Sequence, residues 1–268
     1  MEAPRDNPSP LITLAIPSFN QGRYLDAALR SVFAQGIPVE VFVLDGGSTD
    51  ETVAVLRRWE SSLAGWWSQP DDGQSWAINR GVSLGSAPYV AWLNADDLYL
   101  PDALWRFVGA LQKNPALPAV YGRCRLVDSA GKWVGTHPTF AFHPYVFANY
   151  CFICQPGTLI RRDAWEAVGG VDESLDMCMD YDLWWRLYRR FGPFGYIREW
   201  AAAARIHPFT KTSTRRADHY REAMQVVRRH WGRVPLKWYL AWPYKVSWLE
   251  MMNRRTLRRL AAAGGSRD

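Results

Sequence analysis

Tyr89-Val90-Ala91-Trp92-Leu93-Asn94-Ala95-Asp96-Asp97 is the stretch on which the reading of the chain turns. Five apolar residues run without interruption into three oxygen-bearing side chains, Asn94, Asp96 and Asp97, with Pro88 before the stretch and Pro101 after it. A short β-rich run between such breakers reads as a buried strand. The polar cluster then sits at the strand's carboxyl end, where open α/β sheets bind their ligands. Hard oxygen donors two residues apart suit Mg²⁺ or Mn²⁺, a cation able to carry the phosphates of a substrate. The competing reading is a plain turn in which Asp97 caps the next helix.

Upstream, Leu11–Phe19 is a near-continuous apolar run, as a strand buried on both faces requires. Leu25, Leu29, Val32 and Phe33 follow at i, i+4, i+7 and i+8, one face of a helix that Gly36 and Pro38 end. Val39–Leu44 is a second strand, closing on Asp45-Gly46-Gly47-Ser48-Thr49-Asp50, where Ser48 or Thr49 is placed to cap a helix reaching Trp59. Gly65–Gln69 reads as a short strand, Gln74–Leu84 as a helix, and Pro101 as the first position of a helix to Lys113. Strand and helix thus alternate four times over residues 11–113, the pattern of a parallel sheet with helices on both faces. Polar side chains at Asn20, Asp45 and Asn94/Asp96 fall at successive strand ends, and this convergence favours a site over an isolated turn.

Beyond residue 113 the pattern loosens. Ala119–Val127 and Trp133–Gly135 flank a turn and predict a hairpin. A short helix is expected at Tyr145–Tyr150, a strand at Gly157–Ile160, helices at Arg162–Val168 and Met179–Phe191, and a strand at Tyr196–Ile206. The expected organisation is residues 1–113 and 114–210 as two halves of one α/β domain, and 211–268 as a basic, aromatic helical extension.

Charge sharpens that last boundary. Residues 205–268 carry 15 Lys and Arg against four Asp and Glu, while residues 1–204 carry 17 against 22. The whole positive excess of a chain with net charge +6 therefore lies in its last quarter. Trp238, Tyr239, Trp242, Tyr244 and Trp248 interleave there with Lys237, Lys245, Arg254, Arg255, Arg258 and Arg259, which fits a helix lying on anionic lipid. No nucleic-acid-binding motif accompanies the charge, so nucleic acid is not expected as a partner. The N-terminus lacks a charged-then-apolar leader, and no apolar run is long enough for a membrane span. The expected place is the cytoplasm, peripherally at the inner face of the cell membrane. Cys124, Cys151, Cys154 and Cys178 then read as free thiols, since Cys151-x-x-Cys154 has no second pair.

Six motifs in order carry a family resemblance: Ile16-Pro17-Ser18-Phe19-Asn20; Leu44-Asp45-Gly46-Gly47-Ser48-Thr49-Asp50; Asp71-x-Gly73 with Ala77-Ile78-Asn79-Arg80-Gly81; Leu93-Asn94-Ala95-Asp96-Asp97; Met179-Asp180-Tyr181-Asp182-Leu183-Trp184; and Arg205-Ile206-His207. Together, over residues 11–210, the chain resembles the inverting family 2 glycosyltransferases with the nucleotide-binding GT-A fold. The resemblance implies that Asp45 accepts a hydrogen bond from a uracil-like base and that Pro17 and Asn20 line the base and ribose. It places Asp71 and Asn79 beside the nucleotide, with Arg80 as a cation able to meet phosphate. It makes Asp96 the ligand of a divalent metal bridging the diphosphate, His207 a neighbour of that metal, and Asp180 the catalytic base.

The implied substrates are a UDP- or dTDP-sugar and a glycan or lipid-linked acceptor, in the assembly of bacterial surface polysaccharide. Two departures stand out. Asn94 replaces the first carboxylate of the Asp-x-Asp motif and is expected to tune metal affinity rather than abolish it. Trp76 stands where many relatives carry an acidic residue. They keep a catalytically silent scaffold in view; a sugar-nucleotide pyrophosphorylase would want a Gly-rich basic loop after strand one, which Ser18-Phe19-Asn20-Gln21-Gly22 is not.

Overall fold

A computed structural model describes residues 9–264 of the 268-residue chain, and side chains as far as Thr256. The first eight residues, and the side chains of Arg258 and Arg259, therefore lie outside the described residues.

Strand β1 (Ile12–Ser18) is buried at every position and forms the spine of the first half. Strand β2 (Val39–Asp45) pairs with it in parallel, from Ile12↔Val39 to Ser18↔Asp45. On the other side β4 (Tyr89–Trp92) pairs in parallel, and β3 (Gly65–Ser68) extends the sheet beyond β2. Side chains alternate between two packed faces, which is why these strands read as unbroken apolar runs. Ile12, Leu14 and Ile16 pack with Leu25, Leu29 and Val32 of α1 (Gly22–Phe33), Val55 and Leu56 of α2 (Thr52–Trp59), and Phe107 and Leu111 of α4 (Ala103–Lys113). Ala15, Val90 and Trp92 face Ile78 and Val82 of α3 (Gln74–Ser83). Helix α3 lies so close to β1 that a Cβ on Gly81 would stand 2.7 Å from that of Ala15.

The second half turns the sheet mixed. Strand β8 (Thr158–Arg161) runs antiparallel to β4 and joins the halves. The long β6 (Ala119–Val127) pairs antiparallel with β8 and then with β7 (Trp133–His137), and parallel with β9 (Gly195–Arg205) along its other edge. The predicted hairpin is β6–β7. Parallel pairing thus holds for β1–β4, and the strands added after residue 113 mix it.

Two local expectations are corrected. Leu98–Tyr99 form a two-residue strand, β5, against β9, and the Leu100 N–H donates to Ala201 (2.8 Å). That pairing keeps the chain extended past Tyr99, so α4 starts at Ala103 and Pro101 lies in the turn before it. Neither Ser48 nor Thr49 caps α2; the Thr52 N–H donates to Asp50 Oδ1 (3.0 Å) because Ser48 is already committed to Asp45. Asp97 does not cap α4 either.

Helices α5 (Pro144–Asn149), α6 (Arg162–Val168) and α7 (Met179–Phe191) close the aromatic core, where Trp184 stacks on Trp92 at 5.9 Å and Trp165 meets it edge-on, and the short α8 (Lys211–Thr214) follows. Helix α9 (Arg216–Trp231) adds Ala223, Val226 and Val227 to the same cluster. The basic segment therefore begins as part of the body of the protein. It continues through α10 (Leu236–Trp242), a π-helical stretch at Pro243–Trp248, and α11 (Leu249–Gly264).

Candidate active site

The carboxyl ends of β1 and β2 stand side by side, and their loops are laced together. The Asn20 N–H donates to Ser48 Oγ (2.7 Å), Thr49 N–H donates back to Asn20 Oδ1 (2.9 Å), and Gly22 N–H donates to Asp50 (2.9 Å). Asn20 does this with a left-handed backbone, φ 52°, a conformation asparagine tolerates better than most residues. Asp45, 2% exposed, accepts from Ser48 N–H (2.9 Å), Ser68 Oγ (2.6 Å) and Ser48 Oγ. A carboxylate has about four lone-pair sites, so one remains for a ligand. Pro17 is buried in β1, whereas Phe19 is 61% exposed. A Cβ on Gly46 would meet both Phe19 and Asp71 within 3.5 Å, so these three residues border one another. Asp71 itself accepts from Gly73 N–H (2.9 Å) and shapes the turn into α3. Phe19 received no role from the sequence; its signal was an aromatic residue at a strand end between Pro17 and Asn20.

At the end of β4 the three polar residues divide their tasks. Asp97 is buried, accepting from Arg205 N–H (2.9 Å) and Asn94 Nδ2 (3.2 Å). Burial and the adjacent Asp96 push its carboxyl well above the usual range. Asn94 is spent on neighbours: its oxygen accepts from Gln74 (2.8 Å), and its nitrogen serves Asp97 and, at 3.5 Å, Gln155. Among the described residues none donates a hydrogen bond to the Asp96 carboxylate, while its backbone carbonyl is held by Arg205 Nε (2.9 Å).

His207 stands opposite, brought there by the exit from β9. Its Nε2 lies 3.4 Å from Asp96 Oδ2 yet is buried without a hydrogen-bond partner. Two donors about 3 Å apart is the spacing of adjacent ligands on a divalent cation with bonds near 2.1 Å. The orphaned nitrogen and the free carboxylate therefore fit Mg²⁺ or Mn²⁺. Among the described residues no third ligating side chain joins them, so phosphate oxygens and water would complete the shell, as is usual for Mg²⁺.

Helix α3 forms where the sequence places it and carries Asn79 and Arg80. The Asn79 amide is used within the protein, donating to the Val171 carbonyl (2.9 Å) and Glu173 (2.7 Å) and accepting from Val171 N–H (3.0 Å). It clasps the loop after α6. Arg80 is exposed and has no ion-pair partner among the described residues. Trp76 packs against Phe42, Leu44 and Ala77, which accounts for an aromatic residue at that position.

Asp180 is the second residue of α7, and its Oδ1 accepts the Tyr181 N–H (2.7 Å). Burial raises its carboxyl to about 6. Asp182 is treated in the opposite way: burial opposes its ionisation, but hydrogen bonds from His230 (2.7 Å) and Arg186 (2.6 Å) outweigh that and hold it below the usual range. Two acids on one helix turn are thus driven apart, one towards proton exchange near neutrality and one towards a fixed structural charge. The segment Cys151–Gln155 comes near both Asp180 and Asp97: Cys151 feels the charge of Asp180 and Cys154 that of Asp97, while Gln155 accepts from Asn94 Nδ2 at 3.5 Å. All four cysteines are free thiols, and His137 is a half-buried packing residue bonded to the Cys151 carbonyl (3.1 Å).

A family model, Glycosyl transferase family 2, matches residues 13–169. The chondroitin synthase of Escherichia coli is 27% identical over 234 residues; the match covers 86% of this chain but 34% of that protein, so the chain spans about a third of its length. Among solved structures, S. aureus TarS 1-349 in complex with UDP superposes with a TM-score of 0.62 at 16% identity, covering 82% of this chain and 64% of that one. The mannosyltransferase PcManGT from Pyrobaculum calidifontis, in complex with GDP-Man and Mn²⁺, gives 0.65 at 19%, covering 97% and 78%. Identities this low bear on the fold alone, and the fold is that of the GT-A glycosyltransferases. With the family model spanning more than half of the chain, the protein belongs to glycosyl transferase family 2.

Proposed function

We propose that the protein transfers a sugar, with inversion, from a nucleoside-diphosphate donor to a hydroxyl group of a glycan or lipid-linked acceptor. The observation that carries this reading is the Asp96–His207 pair at the strand ends, a free carboxylate 3.4 Å from an orphaned imidazole nitrogen, in a chain that also holds Asp180 with its carboxyl raised to about 6. Asp45, through its remaining lone pair, takes the base N–H, while Pro17, Asn20 and Asp71 border base and ribose and Phe19 offers an exposed ring beside them. Asn79 serves by holding the Val171 loop, and exposed Arg80 is a cation available to phosphate. Asp96 and His207 hold a divalent cation, which when bound would stabilise charge on the departing diphosphate. Asp180 removes the proton of the attacking hydroxyl from the side of the sugar opposite the leaving group. A single displacement assisted by one base inverts the anomeric centre.

The bound UDP of TarS and GDP-Man of the mannosyltransferase support a nucleotide donor, and the donor we favour is UDP- or dTDP-linked, its base N–H taken by Asp45. Bacterial surface-polysaccharide synthesis is the setting we favour, in line with the chondroitin synthase similarity. Thermal-shift measurements with UDP, dTDP and GDP, each with Mn²⁺ or EDTA, test the donor site, because a ligand of the native state raises apparent stability by about 2.7 kcal/mol at a hundred times its Kd. A Mn²⁺-dependent rise with UDP or dTDP is expected; none with any of the three would refute the reading.

A peripheral place on anionic membrane, on the cytoplasmic side, is supported by Leu236, Tyr239, Leu240, Tyr244 and Trp248, all exposed, among Lys237, Lys245, Arg254 and Arg255. Trp238 and Trp242 leave that set: Trp238 is buried and donates to the Ala148 carbonyl (2.9 Å), and Trp242 packs on Tyr220. Among the described residues no helix is long and apolar enough to cross a membrane. Co-sedimentation with phosphatidylserine vesicles at low salt, lost at high salt, is the expected result, and absence of binding at low salt would rule the placement out.

A further inference from the structure

Helix α7, which carries Asp180, begins without a side-chain cap of its own: Cys178 stands at the cap position and bonds none of the helix's first N–H groups. The cap comes from elsewhere. Glu222, 44 residues on and in the second turn of α9, accepts from Cys178 N–H (2.6 Å) and Met177 N–H (2.8 Å) through Oε1, and from Asp176 N–H (3.3 Å) through Oε2. Three consecutive backbone donors at the mouth of α7 thus converge on one carboxylate. The same turn is braced from outside by Lys211 and Arg215, both paired with Asp176, and the Cys178 thiol donates to the His219 carbonyl (3.5 Å).

We propose that Glu222 is a positioning residue for the transfer reaction: from α9 it clamps the turn Asp176–Cys178 and so fixes the place and charge of Asp180 at the start of α7. The proposal rests on the reading of Asp180 as base. A helix N-terminus favours negative charge, and here two carboxylates share one such end. Glu222 occupies the three donors before the helix, leaving Asp180 with the Tyr181 N–H and its own N–H. The groups that act on Asp180 are few. Glu222 faces it from α9, with Cys178 at the cap position before it and Cys151 across from it, and the like charge of Glu222 adds to burial in raising the Asp180 carboxyl. Glu222 has in turn His219 and Arg216 for company on its own helix. A clamp whose charge also disfavours ionisation of the base ties the geometry and the proton affinity of Asp180 to one side chain.

The test uses the full chain and requires no identified acceptor. With aspartate labelled by ¹³C at Cγ, the Asp180 resonance is assigned by its loss in Asp180→Asn, and its titration is followed in the native chain and in Glu222→Gln. Glutamine retains an acceptor oxygen but not the charge, so the midpoint is expected to fall by roughly half a unit or more. In Glu222→Ala the amides of Met177 and Cys178 are expected to exchange hydrogen about tenfold faster or more, with those of Leu14 and Ile16 in β1 unchanged. An unmoved midpoint, or clamp amides that exchange no faster, overturns the proposal. Acceleration throughout the sheet would mark general destabilisation and count against it equally. Retained sugar transfer in Asp180→Asn would instead remove Asp180 as base, and the clamp measured on the free protein would stand apart from that failure.

Discussion

Replacing Asp180 with asparagine is expected to stabilise the protein while stopping its chemistry. Burial raises the carboxyl from an ordinary 3.8 to about 6. A carboxyl whose pKa folding raises stabilises the native state below its unfolded value, and that contribution is lost as pH climbs through the folded value. The window here runs from 3.8 to about 6. At 1.36 kcal/mol per unit the full shift corresponds to about 3 kcal/mol, and partial exposure of Asp180 to solvent discounts this to roughly 1.5 kcal/mol. Asparagine is close in size, keeps an oxygen for the Tyr181 N–H, and never ionises. The gain of Asp180→Asn over the native chain should therefore be near zero at pH 4, grow between pH 4 and 6, and level off above pH 7. A gain of roughly 1.5 kcal/mol in a chain this size moves Tm by about 3–6 °C.

Urea unfolding at pH 4.5 and 7.5, followed by tryptophan fluorescence, measures the difference directly. Loss of transfer by about 10²- to 10⁴-fold should accompany the gain, the usual contribution of a general base. A variant less stable than the native chain at pH 7.5, or a difference that does not change with pH, would refute the buried-base account. Stability gained where activity is lost is the signature of a site kept unfavourable for its function.

Three further outcomes follow from the site geometry. His207→Ala removes the orphaned Nε2 beside Asp96, so Mn²⁺ titration in the presence of UDP should show affinity lower by about tenfold or more, with little change in fold. Asn94→Asp puts a third carboxylate 3.2 Å from Asp97; the metal-free protein should lose about 1–2 kcal/mol at pH 7 by like-charge repulsion, a loss that Mn²⁺ reduces in a thermal-shift assay. Asp182→Asn strips the partner from His230 and Arg186 in a buried network and should cost about 3 kcal/mol in chemical denaturation, without moving the pH profile of transfer.

Much of the first half, residues 11–113, was legible because its signals are local. Unbroken apolar runs, breakers, and polar residues at strand ends sit within a few positions of one another, and the parallel pairing of β1, β2 and β4 follows from them. Helix α7 was read with its observed limits, since its apolar face recurs at helical spacing. What escaped depends on partners far along the chain. Strand β5 is two residues long and exists because β9, a hundred residues later, offers an edge. Asn79 looked like a ligand residue by motif, and only the fold shows its amide closed on Val171, 92 residues away. Asp180 and Asp182 are identical in type and two positions apart; what distinguishes them is α9, which brings His230 to Asp182 and Glu222 to the turn before Asp180. Residue type announces chemistry, but the proton affinity that makes it usable is set by neighbours that periodicity cannot see.

The asparagine at position 94 follows from the same division of labour. Asp97 is committed to the interior, where it holds the Arg205 backbone and through it the strand that delivers His207. A buried carboxylate of that kind needs a donor on its second oxygen, and Asn94 Nδ2 supplies one. A carboxylate at 94 would offer an acceptor where a donor is required, and would add a like charge to a pair already strained by burial and by Asp96. The neutral amide removes that repulsion and leaves Asp96 as the single free carboxylate of the cluster, facing an unpartnered imidazole. With a single carboxylate and an imidazole as its protein donors, a divalent cation held there would keep a net positive charge for the diphosphate it would meet. Loss of the first acid of the motif thus trades intrinsic metal affinity for coupling: the cation should bind tightly only when the nucleotide is present. Mn²⁺ titrations with and without UDP would show that coupling as a large ratio of affinities, and equal affinities in the two titrations would contradict it.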